Sequence, residues 1–359
     1  MNNKIIYIDY AATAPITKPV LEAMLPYLTE NYGNPSSLYS LGREAKKAIE
    51  HAREQVANAI NAEPNQIVFT SGATEANNWV CSLFHYVLCS PYEHHSVLKR
   101  PNTTSMLPHC SVKWNIQEEL PNLVSYMMVN NETGEIYNVS SIADICHGYN
   151  LLFHTDATQA FSHIPIDVKQ LDCDFLSLSG HKFHANKGVG ILYIKDPDKF
   201  KPFLYGGAQE KKLRAGTENV ASIVGMGKAM ELYNYSPERV KRCKGIQMKF
   251  YNAFCEMTDV HFNTSIYDSI SSTLNIGFKS IESESLMLLL DMDGICVSAG
   301  SACNSGSLEP SHVLKAIDCP EEYIYNSIRL SWDDTLTDEN VDYVIDCIKK
   351  NVKKVRGYV

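Results

Sequence analysis

Ser179-Gly180-His181-Lys182 closes the apolar run Asp174-Phe175-Leu176-Ser177-Leu178. A run this short and this apolar reads as a strand buried in a parallel sheet. Lys182 then falls at the carboxyl end of that strand, the edge where open α/β sheets bind ligands. An amine partly shielded from water there loses some preference for its charged form and becomes a nucleophile. Lys182 is thus a candidate Schiff-base residue for pyridoxal phosphate. A solvated loop carries the same His-Lys pair equally well, so partners elsewhere in the chain decide the matter.

Working outward, the neighbouring strands end the same way. Ile67-Val68-Phe69-Thr70 runs into Ser71-Gly72-Ala73-Thr74-Glu75-Ala76-Asn77, a strand, a small-residue turn and a helix start. Free backbone N–H groups at such a helix start, with the Thr74 hydroxyl, suit an anion, and an ordinary N-cap with a capping glutamate fits as well. Val124–Val129 ends in Asn130-Asn131-Glu132-Thr133-Gly134, and Leu151–His154 ends in Thr155-Asp156-Ala157-Thr158-Gln159. After Lys182 comes the apolar run Gly188–Ile194. Alternation with helices predicts a doubly wound, largely parallel sheet with its polar strand ends along one rim. Asp156 stands out there, because a carboxylate can keep a pyridine nitrogen protonated, and without a cation a buried Asp is costly. His94, in Tyr92-Glu93-His94-His95-Ser96, is an imidazole that could stack on an aromatic ring; a loop histidine reads the same way.

Helical periodicity places Val20, Met24, Leu25 and Leu28 on one face of Lys18–Asn31. A second face over Arg43–Ile60 carries Ala45, Ala48, Ile49, Ala52, Val56 and Ile60. The polar loop from Gly206 to Thr217 suits a subunit contact, a ligand or a solvated connection. Beyond Pro237 a smaller lobe shows a strand pattern at Thr273–Phe278. It ends in a helix capped by Thr337, with Val341, Val344, Ile345 and Ile348 in register. The expected division is a large domain over 15–236 and a small one made of 1–14 and 237–359.

With 359 residues, 45% hydrophobic and 20% charged, the chain has ordinary globular composition and length for two domains. A net charge of −9 argues against direct nucleic-acid binding. No apolar stretch reaches a membrane span, and the early strand at Ile5–Asp9 leaves no room for a signal peptide, so the cytoplasm is expected. The 11 cysteines show neither disulfide nor zinc spacing, and no metal is expected. Cys81, Cys89, Cys110, Cys146, Cys173, Cys255, Cys296 and Cys347 read mostly as small core hydrophobes. Cys303 differs: Ser298-Ala299-Gly300-Ser301-Ala302-Cys303-Asn304-Ser305-Gly306 holds nothing that buries a large apolar face. An accessible thiol is expected there, either incidental or reactive.

Taken in order, these motifs resemble the NifS/IscS-type cysteine desulfurases, a branch of the class-V aminotransferases. The resemblance runs from Tyr7-Ile8-Asp9-Tyr10-Ala11-Ala12-Thr13 through Glu93-His94-His95 and Arg214-Ala215-Gly216-Thr217-Glu218-Asn219 to Ser301-Ala302-Cys303. It implies the fold type I architecture of pyridoxal-phosphate transferases: a large domain with a mostly parallel sheet flanked by helices, plus a smaller α+β domain. It implies that Lys182 carries the cofactor and moves the Cα proton, and that His94 stacks on the ring. Asp156 would pair with the ring nitrogen and Gln159 with the ring hydroxyl. Ala73, Thr74, Ser179 and His181 would hold the phosphate, with Thr217 reaching that of a neighbouring subunit in a homodimer. Asn34, Asn131 and Arg329 would orient the carboxylate of L-cysteine, and Cys303 would receive its sulfur as a persulfide. The segments between Asn78 and Glu93 and between Leu98 and Val124 are shorter than the family pattern. The sulfur-acceptor protein is left open among iron–sulfur cluster assembly, tRNA thiolation and other sulfur-modification pathways. A transaminase has no use for such a thiol, and a scaffold has no need of Lys182, Asp156, His94 and Cys303 together.

Overall fold

The computed structural model describes residues 5–106, 122–299 and 310–357. It divides the chain into two compact units, one of 14–128 and 137–235 and one of 1–13, 129–136 and 236–359. The short excursion 129–136 therefore joins the second unit, whereas sequence patterning had kept 15–236 whole.

The larger unit is built on seven strands: β2 (Ile67–Thr70), β3 (Val87–Cys89), β4 (Thr103–Ser105), β5 (Leu123–Ser125), β6 (Leu152–Asp156), β7 (Phe175–Ser179) and β8 (Gly190–Ile194). Their order is β2-β8-β7-β6-β5-β3-β4. All neighbours are parallel except β8, which runs antiparallel to both β2 and β7. Two reversals cancel, so β2 points the same way as β7 and the carboxyl ends of β2, β6 and β7 share one edge. The register puts Thr70, Gly190 and Ser179 in one row across that edge. Strands β7 and β8 are buried along their whole length, as expected of a sheet covered on both faces. The segment 124–129 is shorter as a strand than its apolar run suggests, because the ladder ends at Ser125.

Helices Lys18–Thr29 and Ser40–Ala59 pack with Val220–Leu232. Small residues permit the contact: a Cβ on Gly227 would meet Ala52 at 2.8 Å, and one on Gly225 would meet the Met24 sulfur at 2.7 Å. Val20 and Met24 are buried there, whereas Leu25 and Leu28, expected on the same face, are exposed. The packed face is narrower than the apolar stripe. Cys255 is likewise exposed, against expectation, while Cys81, Cys89, Cys146, Cys173, Cys243, Cys319 and Cys347 are buried. Burial pushes the thiols of Cys81, Cys146 and Cys173 up to about 12, which keeps them protonated and inert.

Arg53, on the second of these helices, is a departure from its amphipathic pattern. Its guanidinium donates twice to Glu210, at 2.8 and 2.8 Å, and once to the Ile67 carbonyl at 2.9 Å. Glu210 also accepts from the Phe69 N–H at 2.9 Å. Both side chains are 4% exposed. Glu210, Lys211 and Lys212 are all left-handed, with φ of 44°, 57° and 69°, a costly run for residues with a Cβ. The loop read as polar and of mixed charge is thus tied down, at Glu210 and again where Arg214 meets Glu75 at 2.9 Å.

The second unit pairs β9 (Val260–Phe262), β10 (Thr273–Phe278) and β12 (Ser327–Ser331) as an antiparallel sheet in the order β12-β10-β9. A parallel pair, β1 (Ile6–Tyr7) and β11 (Ile295–Cys296), accompanies it. Phe250, Phe254, Phe278, Leu330 and Trp332 centre its core. Thr337 caps the final helix Asp338–Val355 through the Asn340 N–H, and Val341, Val344, Ile345 and Ile348 are buried, as their spacing implies. Among the described residues, no helix is long and apolar enough to cross a membrane.

Removing one partner of the Arg53–Glu210 pair strands a buried charge. Arg53→Met is expected to cost about 3–5 kcal/mol. The double change Arg53→Met with Glu210→Leu should recover most of that loss. Urea denaturation midpoints check this, and a single-variant loss below about 1 kcal/mol would contradict it.

Candidate functional site

The shared edge of β2, β6 and β7 gathers most of the expected residues. Gly72, the residue before helix Ala73–Ser82, adopts φ 153° and ψ 176°, a conformation open to glycine. A Cβ there would come within 3.5 Å of the Ser179 Oγ, and one on Gly190 would meet the Gly72 Cα at 2.6 Å. The turn after β2 therefore lies directly over the start of β8 and beside the end of β7. The helix behind it presents first-turn N–H groups to this place. Glu75 in that turn is neutralised by Arg214, whose Nε and Nη2 donate to it at 2.9 and 3.1 Å, and it accepts from the Ser71 N–H. Burial works against its charged form, but those donors prevail and hold its carboxyl low. The helix start is left with a net preference for an anion.

Strand β7 leads into a single tight turn, Gly180–Lys182. A Cβ on Gly180 would crowd Ala185 and Met226, each at 2.9 Å, so the turn is pressed onto the unit's core. Lys182 and His181 are half-buried there, and Ser179 and Ala73 are buried. Burial, then the neighbouring Lys182 and Lys187, push the His181 imidazole down to about 4. It is therefore neutral near pH 7, with an N–H to donate. Thr74 and Thr217 are exposed, and Gln159 is 9% exposed. His184, which with His181 has the spacing of a metal-binding pair, instead bonds the Pro15 carbonyl at 3.0 Å. Among the described residues, no group of three His, Cys, Asp or Glu side chains is placed to hold a metal.

At the end of β6, Asp156 is 6% exposed. Its Oδ1 accepts from the Thr158 N–H at 3.0 Å and its Oδ2 from the Asn77 Nδ2 at 2.7 Å. Asn77 donates also to the Ser96 Oγ at 2.9 Å, and that hydroxyl lies 2.8 Å from the His94 Nδ1. The Ser96 N–H donates to the same nitrogen at 3.1 Å, which makes Nδ1 an acceptor and puts the neutral ring's proton on Nε2. His94 and Asp156 thus belong to one network through Asn77 and Ser96, two residues to which the sequence assigned no role. Their signal was present: a polar Asn and Ser at positions that must face inward from their helices. His154, two residues in from the strand end, spans three strands, with Ser125 Oγ at 2.8 Å and Ser177 Oγ at 3.0 Å. Burial pushes it down to about 4, so it stays neutral beside Asp156.

Asn34 is exposed in a loop of this unit, its Oδ1 accepting from the Ser36 N–H. Asn131 and Arg329 belong to the other unit, where Arg329 on β12 donates to the Asn131 carbonyl at 2.7 Å. Cys303 lies outside the described residues.

Comparison with known proteins is consistent along the chain. The family model for class-V aminotransferases matches residues 6–344. A cysteine desulfurase IscS of Methanosarcina thermophila is 44% identical, over 99% of this chain and 94% of its own length. A cysteine desulfurase of a Nostoc species is 38% identical over 98% and 94%. Among solved structures, a NifS-like protein superposes with a TM-score of 0.88 at 31% identity, covering 99% of this chain and all of its own. A protein named SspA, solved in complex with cysteine, gives 0.78 at 32% identity, over 92% and 99%.

Glu93, next to His94, is fully buried and accepts from Ser90 Oγ and the Met127 N–H, both at 2.6 Å. Burial pushes its carboxyl up to about 8, with the Asp156 charge adding to the effect. A folded value above the unfolded 4.5 means stability that is complete below pH 4.5 and lost as pH rises towards 8. His154 and His181 act oppositely, losing stability as pH falls from 6.5 towards 4. Comparing wild type with Glu93→Gln cancels the histidines. The wild-type stability should fall relative to the variant by about 1.4 kcal/mol per pH unit between pH 5 and 8. Denaturant melts across that range test it, and a pH-independent difference would refute the assignment.

Proposed function

The chain belongs to the class-V aminotransferases, in the NifS/IscS-type cysteine desulfurase branch, and from that premise we propose a pyridoxal-phosphate-dependent reaction that moves sulfur from L-cysteine to Cys303. The observation that carries this reading is Asp156. It is a buried carboxylate that, among the described residues, pairs with no lysine or arginine, and it shares a network with His94. A protonated pyridine nitrogen is the cation such a carboxylate lacks, so the residues fit the cofactor. The glycine turn at Gly72, over a helix N-terminus, fits its phosphate.

In this reading Asp156 holds the proton on the ring nitrogen and Gln159 bonds the ring hydroxyl. His94 stacks on the ring, with Nε2–H available for proton transfer. Ala73, Thr74, Ser179 and the neutral His181 hold the phosphate, and the exposed Thr217 reaches that of a second copy, which makes the protein a homodimer. When bound, the cofactor supplies an electron sink for bonds at the amino acid's Cα and Cβ. Lys182 anchors it and moves the Cα proton through Nζ. Arg329, with Asn34 and Asn131, orients the substrate carboxylate, a task suited to a planar fork of donors. The Cys303 thiolate attacks the substrate sulfur, so an S–S bond forms as the Cβ–S bond breaks. The electron pair of the broken bond stays on Cβ and takes a proton, leaving L-alanine and an enzyme persulfide. An acceptor protein then takes the terminal sulfur, for iron–sulfur cluster assembly, tRNA thiolation or another sulfur-modification pathway. A reducing cytoplasm would keep the thiol free for each cycle.

Purified protein loaded with pyridoxal phosphate, given L-cysteine and a thiol reductant, should release alanine and sulfide in equal amounts. Lys182→Ala should lose the near-visible absorbance and about 10²–10⁴-fold of the rate, the usual worth of a positioned acid–base. Cys303→Ala should form no persulfide. Sulfide release by Cys303→Ala at the wild-type rate would overturn the role of that thiol, and a wild type that makes no alanine would overturn the enzyme reading.

A further inference from the structure

Within the larger unit, two side chains join residues that the proposed reaction uses at different places. Asn77, on the helix Ala73–Ser82, is fully buried. Its amide nitrogen donates to Asp156 Oδ2 at 2.7 Å and to the Ser96 Oγ at 2.9 Å. An amide nitrogen carries two hydrogens, so both are engaged. Turned the other way, the amide would set its oxygen against a carboxylate, so Asp156 fixes its orientation. The Oδ1 that results is buried and, among the described residues, meets no hydrogen-bond donor. A buried carbonyl left so is costly, and the orientation is kept for what the nitrogen holds.

Ser96 passes the link on. Its oxygen accepts from Asn77, so its one proton goes to His94 Nδ1 at 2.8 Å, where the Ser96 N–H also donates at 3.1 Å. The turn that carries His94 is seated on the helix without this link. The Ser96 carbonyl accepts from the Asn78 Nδ2 at 3.3 Å, and the same nitrogen donates to the Thr74 carbonyl at 2.8 Å. Asn78 is braced in turn by Arg100, whose Nη1 donates to its Oδ1 at 2.8 Å. Asn78 thus holds backbone, whereas the bond from Asn77 to the Ser96 hydroxyl connects side chains.

We propose that Asn77 and Ser96 are positioning residues that fix the Asp156 carboxylate and the His94 imidazole relative to each other, and so prepare the site for the cofactor's ring rather than for its phosphate. The proposal rests on the pyridoxal-phosphate reading, under which the carboxylate meets the edge of a flat ring and the imidazole covers its face. Both contacts form together only if the two groups keep one spacing, and groups held beforehand lose less freedom on binding. The Ser96 N–H orients the imidazole against its own turn; Asn77, through the Ser96 hydroxyl, orients it against β6.

Uptake of pyridoxal phosphate and of inorganic phosphate by the full-length chain, each followed by calorimetric titration, tests this. Ser96→Thr and Ser96→Val have the same shape and differ by the hydroxyl. Ser96→Thr should bind pyridoxal phosphate within about twofold of wild type, and Ser96→Val about fivefold more weakly, the worth of one neutral hydrogen bond. Asn77→Leu, which also removes a bond to a carboxylate, should weaken it by about tenfold or more. The double variant Asn77→Leu with Ser96→Val should be no weaker than Asn77→Leu, since one amide carries both links. Every variant should bind inorganic phosphate as wild type does. In the loaded protein the near-visible circular dichroism per unit absorbance, which reports how firmly the ring is held, should fall in Ser96→Val and Asn77→Leu but not in Ser96→Thr. Equal behaviour of Ser96→Thr and Ser96→Val, additive losses, or equal loss for both probes would each overturn the proposal. So would a lower urea midpoint with affinity and dichroism unchanged, the mark of a merely structural network. Should Asn77→Leu fail to fold, the Ser96→Thr and Ser96→Val pair decides by itself. A wild type that takes up no pyridoxal phosphate would sink the cofactor reading itself, a result distinct from normal uptake by wild type and variants alike.

Discussion

A buried carboxylate that, among the described residues, pairs with no lysine or arginine organises the edge of the larger unit. Asp156 receives two N–H donors, from Asn77 and Thr158, and two ionisable neighbours, His154 and Glu93, are held neutral. His154 cannot charge because burial depresses it, and Glu93 holds its proton because burial and the charge of Asp156 both favour the acid. A second charge of either sign would change what Asp156 can bind: a cation would satisfy it, and an anion would repel it into protonation. The neighbourhood thus leaves one anion exposed to whatever enters that edge. Asn77 then links this anion to the His94 ring, which fixes the tautomer of the imidazole by the same hydrogen bonds that hold the carboxylate.

That edge exists because of strand direction and two glycines. Antiparallel β8 lies between β2 and β7, so Thr70 and Ser179 come into one row although their strands are far apart in the chain. Gly72 and Gly190 then let the turn after β2 lie against β8 at a distance that no side chain tolerates. The Arg53–Glu210 pair secures the left-handed run that leads to Arg214, and Arg214 in turn neutralises the acidic first turn of the helix Ala73–Ser82. An ion pair bonded to the backbone of β2 thereby supports the electrostatics of the helix start.

In the smaller unit the same economy appears with the sign reversed. Arg329 is a buried cation whose supports are the Asp9 carboxylate, which also accepts from the Ser298 hydroxyl, and the Asn131 carbonyl.

Much of this was legible in the sequence. The apolar runs over 175–178 and 273–278, the alternation with helices, and the ordered motifs identified the fold and its family. Periodicity located the last helix and its Thr337 cap, because one-dimensional spacing determines which residues share a face. It overstated burial at Leu25, Leu28 and Cys255, since a stripe of apolar residues does not say how wide the neighbour will be. Glu210 read as part of a subunit-contact, binding or solvated loop and Arg53 drew no reading, because their partnership spans 157 residues and only tertiary contact creates it. Asn77 and Ser96 likewise became visible when β6 and the helix starting at Ala73 were seen to share an edge. The direction of β8, the return of 129–136 to the second unit and the Asp9 carboxylate at Arg329 were decided by packing alone. The residue types that do chemistry are written in the chain, but burial, direction and the identity of each partner arise where distant segments meet.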